Sequence, residues 1–367
     1  MQSKDIIDAY EERKQKLSIW IHQHPLRQIQ WEATRRCDMK CSHCGSSCSA
    51  SIRDEELSET EIISAFKSIT SVYDSNQLEL VSITGGEPLL RSDLPRIISK
   101  LTEQGISHIT LQTNGNQLCA KEGLLPTLVD AGLSGLGLNL DGLAESHDIL
   151  RNQPGHFMKT VELVERVRSE TSLYLSITTV VSQQNFLELP ELAATIKRLK
   201  VPRWRLIELQ PIGRAHTLNE KLLRPQDFRQ LLDFVVETNA LNSDGTRKPH
   251  TAVELGCTGW MGIDWEGIVR PYIWHCHAGI ATLGIWSNGD IGGCTDIDHS
   301  RVEGNVRNDS IPEVWEKRFT SYRDFGSRRN GICVDCNQWD WCHGGGLHLR
   351  TCENELLHCP YALIHTR

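Results

Sequence analysis

Three thiols open the chain's chemistry, in the run Cys37-Asp-Met-Lys-Cys41-Ser-His-Cys44. In a reducing compartment disulfides rarely persist, so cysteines clustered in this way read as metal ligands. Soft sulfur donors suit iron–sulfur clusters. A four-iron cubane held by three thiolates keeps one iron open, and an open coordination position marks a catalytic metal site. A zinc knuckle or a ferredoxin fragment is the alternative, with His43 or Cys48 as the fourth donor. A second group, Cys257, Cys276, Cys294, Cys333, Cys336, Cys342, Cys352 and Cys359, fills the last third of the chain. For Cys333 and Cys336 taken alone, a zinc ribbon is the alternative. Of the thirteen cysteines, Cys48 and Cys119 read as small buried hydrophobes.

The elements that must position these residues follow from periodicity. Strand-like segments at 29–33, 78–84, 108–113, 135–140, 173–181 and 204–210 alternate with segments of helical spacing at 61–72, 94–103, 121–130, 157–169 and 189–199. Such alternation predicts an α/β fold of parallel β/α units, curled into a partial (β/α)6 TIM-like barrel with function at the strand C-termini. Cys37 follows the first strand, and Gly85, Gly86 and Glu87 follow the second. Thr113 and Asn114 end the third, Asn139 and Asp141 the fourth, and Gln210 and Arg214 follow the sixth. Residues 1–27 read as a helical extension and 28–216 as the barrel. Residues 217–256 form a bridge, with a helix at 225–241 and a turn-rich stretch at 242–248. Residues 257–367, rich in Cys, Gly, Trp and His, form a module in which metal clusters substitute for a regular core.

Composition narrows the partners. The chain is 39% hydrophobic and 23% charged, with a formal net charge of -8. That balance weighs against non-specific binding to nucleic acid or to a membrane surface. The polar N-terminus lacks the apolar core of a secretory signal, and no run approaches the ~18 apolar residues of a membrane span. A cytoplasmic enzyme is the expectation. The ten tryptophans read as core before they read as a peptide groove. Trp339 and Trp341 read as packing around clusters.

With these residues in place, the chain resembles the radical S-adenosylmethionine (SAM) superfamily. Its Cx3CxxC run follows the first β/α strand, and Thr84-Gly-Gly-Glu-Pro88 resembles the family's GGEP motif, which holds the amino group of SAM. The resemblance implies ribose contacts from Thr113, Asn114, Asn139 and Asp141, and a sixth-strand ending in which Gln210 and Arg214 face the cofactor. An arginine pairs well with the SAM carboxylate. His43 stands where the family often has an aromatic residue near adenine. The implied chemistry is electron transfer from the reduced cluster to SAM, cleavage of the sulfur–C5′ bond, and hydrogen abstraction by the 5′-deoxyadenosyl radical.

The second cysteine group resembles the SPASM domain, which carries auxiliary iron–sulfur clusters. Cys276 and Cys294 bracket Gly289 at spacings of twelve and four residues, and Cys333, Cys336 and Cys342 follow at two and five. The resemblance implies one auxiliary cluster on Cys333, Cys336, Cys342 and Cys359. A second would use Cys276 and Cys294 with Cys257 and Cys352. It departs from the family at Gly346, where a cysteine is usual, so a smaller cluster, a non-Cys ligand or an open site is the alternative there. Such enzymes mostly modify peptides. The resemblance implies a precursor-peptide maturase of the darobactin and cyclophane crosslinking type, served by a flavodoxin- or ferredoxin-type reductant. In such an enzyme an auxiliary cluster takes up the electron left by net oxidation. Only 36 residues precede Cys37, too few for a winged-helix leader-binding domain, so a separate leader-binding protein is a further expected partner. Asp296, two residues after Cys294, is the candidate general base, with a turn aspartate as the plain reading. A sulfatase-maturating enzyme and a non-catalytic iron–sulfur electron carrier are the alternatives.

Overall fold

Residues 3–50, 55–239, 251–270 and 272–365 are described by the structure, a computed structural model. The turn-rich stretch 242–248 and the end of the expected helix 225–241 lie outside them. A helix, α1 (Ser3–Gln23), leads into β1 (Gln28–Glu32). Five β/α units follow in order: α2 (Glu59–Thr70), β2 (Leu80–Thr84), α3 (Leu94–Glu103), β3 (Ile109–Gln112), α4 (Asn116–Ala120), α5 (Leu124–Asp130), β4 (Gly135–Asn139), α6 (Ala144–Arg151), α7 (His156–Glu170), β5 (Tyr174–Val181), α8 (Leu189–Arg198) and β6 (Arg203–Glu208). After α9 (Pro225–Asn239) come four short strands: β7 (Ala252–Leu255), β8 (Thr282–Ile285), β9 (Asp290–Gly292) and β10 (Gly304–Asn305).

All ten strands share one sheet, in the order β10-β9-β8-β1-β2-β3-β4-β5-β6-β7. From β8 to β7 every pairing is parallel, and only the β8–β9 and β9–β10 pairings are antiparallel. Alternation along the strands explains the core. Ile29 and Trp31, Val81 and Ile83, Ile109 and Leu111, and Trp204 and Leu206 are all buried on alternate positions of β1, β2, β3 and β6. Helices close the other side. A capping box at Ser58 and Glu61 starts α2, whose Ile62, Phe66 and Ile69 pack inward. Trp31, Trp204, Trp260, Trp286 and Trp315 are fully buried, as core tryptophans should be.

The sheet extends beyond the six expected strands. β8 pairs with β1 in register from Gln28↔Thr282 to Trp31↔Ile285, and β7 extends the sheet past β6. Both are only four residues long, too short for their alternation to stand out in the sequence. The expected helix 121–130 begins later, because Gly123 at φ +80° separates α4 from α5. Among the described residues no helix is long and apolar enough to cross a membrane.

Candidate functional site

The loop after β1 carries Cys37, Cys41 and Cys44, and three strand ends grip it. From β2, the amides of Gly86 and Glu87 donate to the carbonyls of Thr34 and Arg36 at 2.7 and 2.8 Å. That approach needs glycine: a Cβ at Gly86 would lie 2.2 Å from the Arg36 carbonyl oxygen. From β3, Asn114 Nδ2 donates to Asp38 at 2.7 Å. Beyond β6, Gly213 sits at φ +56° against Gly45, and the Arg214 guanidinium donates to the carbonyls of Cys41 and Cys48 at 2.7 and 2.6 Å. Arg214 therefore braces the cysteine loop through its own side chain.

The loop's thiols sit in contrasting surroundings. Burial pushes Cys37 up to about 12, and burial also raises Cys41. A hydrogen bond from Cys48 pulls Cys44 down to about 5, with Arg214 adding to it. Cys48 is buried as expected, but it also touches this set. Cys119 corrects the sequence reading: it is exposed, with its thiol 3.8 Å from the Lys159 carbonyl, because α4 turns that face outward. Among the described residues no three His, Cys, Asp or Glu side chains stand at the separations of a single-ion site. The thiolates of a cubane bind different irons and stand farther apart, so three thiols on one braced loop fit a cluster.

Glu87 is fully buried beside them. Its carboxylate accepts from the Thr113 hydroxyl at 2.7 Å and from the amides of Asn114 and Leu89 at 2.8 and 3.0 Å. Burial raises it to about 7 against these bonds. Asp141, expected at the ribose, has its carboxylate committed inside the protein. Oδ2 accepts from Arg151 Nε at 2.6 Å and faces His43 Nε2 at 3.3 Å, and Oδ1 accepts from the Val180 amide at 2.8 Å. Burial would raise Asp141, but Arg151 and His43 outweigh it and hold the carboxylate well below its usual range. Asn139 Nδ2 lies 3.5 Å from the Thr178 carbonyl, and Gln210 Nε2 donates to the Cys257 carbonyl at 3.1 Å.

The C-terminal cysteines fall into two places. Cys333, Cys336, Cys342 and Cys359 line one pocket, floored by Gly344, Gly345 and Gly346. Cys257 and Cys352 line a different, larger cavity of about 1020 Å³. Cys294 is close enough to Cys257 and Cys276 for each to raise its thiol pKa beyond the effect of burial. Its Sγ donates to Gln30 Oε1 at 3.0 Å, which ties this group to β1. Asp296 is exposed to the large cavity, 3.9 Å from Cys294 Sγ. His43, Gly45 and Gln210 line the same cavity. Residues of both cysteine groups thus border one space at the strand C-termini.

Three residues of the site carry no signal in the sequence. Arg151 ends α6, which periodicity did not reveal, and its Nη1 lies 3.9 Å from Cys41 Sγ. Gln30 looks like an ordinary strand residue. His358 precedes Cys359, and its Nε2 meets Glu208 Oε1 at 3.1 Å, joining β6 to the C-terminal module.

Comparisons with known proteins agree with this geometry. Residues 31–196 match the radical SAM superfamily, and residues 276–337 match SPASM, an iron–sulfur cluster-binding domain. The AdoMet-dependent heme synthase of Oleidesulfovibrio alaskensis is 25% identical over 332 residues, 87% of this chain and 82% of that protein. The mycofactocin maturase MftC of Mycolicibacterium smegmatis is 28% identical over 324 residues, 86% of this chain and 77% of that protein. SuiB of Streptococcus suis bound to S-adenosylmethionine shares the fold with a TM-score of 0.69 at 18% identity, over 90% of this chain and 76% of that chain. SuiB bound to precursor peptide SuiA gives 0.66.

Proposed function

The chain being a radical SAM enzyme with a C-terminal SPASM domain, we propose that it matures a ribosomally made precursor peptide by installing an oxidative side-chain crosslink. The observation that carries this reading is the open cavity of about 1020 Å³, lined both by His43, Gly45 and Ser46 of the first cysteine loop and by Cys257, Asp296 and Cys352. A side chain still attached to its peptide can enter such a space from solvent.

When bound, the [4Fe–4S] cluster with SAM supplies the hydrogen-abstracting radical, and the auxiliary clusters supply a sink for the remaining electron. Cys37, Cys41 and Cys44 hold the first cluster on a loop that Arg214 and Gly86 keep in place. Glu87, buried with no cation beside it among the described residues, suits the ammonium that SAM brings to the GGEP turn. Thr113 and Asn114 orient Glu87, and Arg151 with Asp141 fixes His43 at the cavity wall. Cys333, Cys336, Cys342 and Cys359 hold one auxiliary cluster, and Cys257, Cys276 and Cys294 a second. Asp296 opens into the cavity, where it can accept the proton that bond formation releases. A flavodoxin- or ferredoxin-type reductant and a leader-binding partner complete the reading. The MftC likeness and the SuiB complex with SuiA support a peptide substrate.

The test is co-expression with each short peptide encoded in the gene's neighbourhood, followed by mass spectrometry. The expected product is lighter by two hydrogens and resists fragmentation between the linked residues, and Cys41→Ala abolishes it. A tetrapyrrole substrate is the second reading, favoured by the heme-synthase likeness across 87% of the chain. Conversion of Fe-coproporphyrin III by the reduced enzyme with SAM, while every neighbouring peptide stays unmodified, decides for it.

A further inference from the structure

Gly346 stands where the SPASM pattern places a cysteine, so beside Cys257, Cys276 and Cys294 the second auxiliary group has only Cys352 as a candidate fourth thiol. The backbone does not ask for glycine there. Its φ of -75° and ψ of 136° are open to any L residue. A neighbouring side chain occupies the space instead. A Cβ built on Gly346 would lie 2.6 Å from Cε1 and 2.9 Å from Nδ1 of His348. The imidazole two residues on thus fills the volume that a side chain at 346 would enter.

That ring faces the right partners. His348 Nδ1 lies 4.0 Å from Cys257 Sγ. Its Nε2 is buried and has no hydrogen-bond partner among the described residues, an arrangement that costs free energy unless something binds there. His348 and Cys257 line the same cavity wall. Imidazole nitrogen is a ready metal ligand and replaces thiolate on iron in known cluster types. The other donors nearby are placed less well. Cys352 is exposed and its thiol is hydrogen-bonded to Glu353, while Asp296 is exposed and lies nearest Cys294.

We propose that His348 replaces the missing cysteine as the fourth protein ligand of the second auxiliary cluster. The proposal rests on the assignment of Cys257, Cys276 and Cys294 to that cluster. A neutral imidazole in place of a thiolate leaves the cluster one negative charge fewer. Its reduction potential is therefore higher than that of the all-cysteine cluster on Cys333, Cys336, Cys342 and Cys359.

Pulsed EPR of the full-length protein tests this, after anaerobic reconstitution with iron and sulfide, partial reduction and omission of SAM. The expected spectrum carries a directly bonded nitrogen coupling that changes on ¹⁵N-histidine labelling and disappears in His348→Ala. His348→Cys keeps the iron content, loses the coupling and lowers the potential, which guards against a His348→Ala protein that fails to fold. Cys352→Ala leaves coupling and potential unchanged. Two auxiliary clusters with no nitrogen coupling, or a coupling that survives in His348→Ala, overturn the role of His348 alone. Iron and sulfide counts that show a single auxiliary cluster overturn the cysteine assignment, and the proposal with it.

Discussion

At the scale of single residues, two buried carboxylates in the barrel mouth show opposite solutions to one problem. Asp141 is kept ionised by Arg151, whose guanidinium is itself buried. Removing one partner of such a pair strands the other charge, which costs roughly 3–5 kcal/mol, whereas removing both costs far less. Arg151→Met should therefore destabilise the protein by about that much in urea unfolding, and Asp141→Asn added to it should restore part of the loss. An Arg151→Met protein as stable as wild type would refute the pairing. Glu87 has no cation beside it among the described residues, so burial raises its carboxyl from 4.5 to about 7. A folded pKa above the unfolded one means that the folded chain holds the proton more tightly. Its contribution to stability is then full below pH 4.5 and is lost as pH rises through about 7. At about 1.4 kcal/mol per pKa unit, the loss is at most about 3.5 kcal/mol. Unfolding of the cluster-free protein across this range should show the decline, and Glu87→Gln should flatten it. Identical pH profiles for the two proteins would remove Glu87 as the cause.

At the scale of elements, the site depends on how closely the strand ends approach the cysteine loop. Gly86→Ala would push a methyl into the Arg36 carbonyl, one residue from Cys37, and backbone cannot yield as a side-chain tip can. The expected result is an iron content lower by about one cluster per chain, read by iron analysis and visible absorbance. Gly123→Ala is the control: φ is +80°, nothing lies within 4 Å of its Cβ, and a cost of about 1 kcal/mol should leave the iron in place. Full iron loading of Gly86→Ala would mean that the loop tolerates the shift. These elements were unevenly legible. β1 to β6 announce themselves because apolar residues recur on a strand period between helices of clear 3.6 period. β8, a fully buried Thr-Leu-Gly-Ile, is only four residues long, too short for its alternation to be read, and β9 and β10 are three and two residues long. α6 spans only eight residues, so Arg151 stayed hidden. The cysteines were legible through local spacing. Gln30 with Cys294, His358 with Glu208, and the His348 ring over Gly346 arise from tertiary contact or a local fold-back, which spacing does not encode.

At the scale of the whole molecule, the C-terminal segment completes the barrel that it follows in sequence. β8 covers the edge of β1, where Ile29 and Trp31 are wholly buried, and Gln30 reaches from β1 to Cys294 and Thr295. The N-terminal helix reaches the same module, with Tyr10 edge-on to Trp260 and Trp341. A chain ended at residue 256 would keep all six strands that periodicity reveals and still lose β8, baring a parallel edge and its apolar face. Exposed edges of this kind pair with other chains. The truncated protein should therefore collect in the insoluble fraction or bind a hydrophobic dye strongly, whereas Cys333→Ala/Cys336→Ala in the full chain should stay soluble and lose only the iron of its auxiliary cluster. A monomeric truncated protein with a single cooperative unfolding transition would show that β1 tolerates the missing neighbour. The expected outcome has a functional corollary. The strand that seals β1 runs through β9 directly into Cys294 and Asp296, so the step that completes the barrel also sets the second auxiliary group against the cavity.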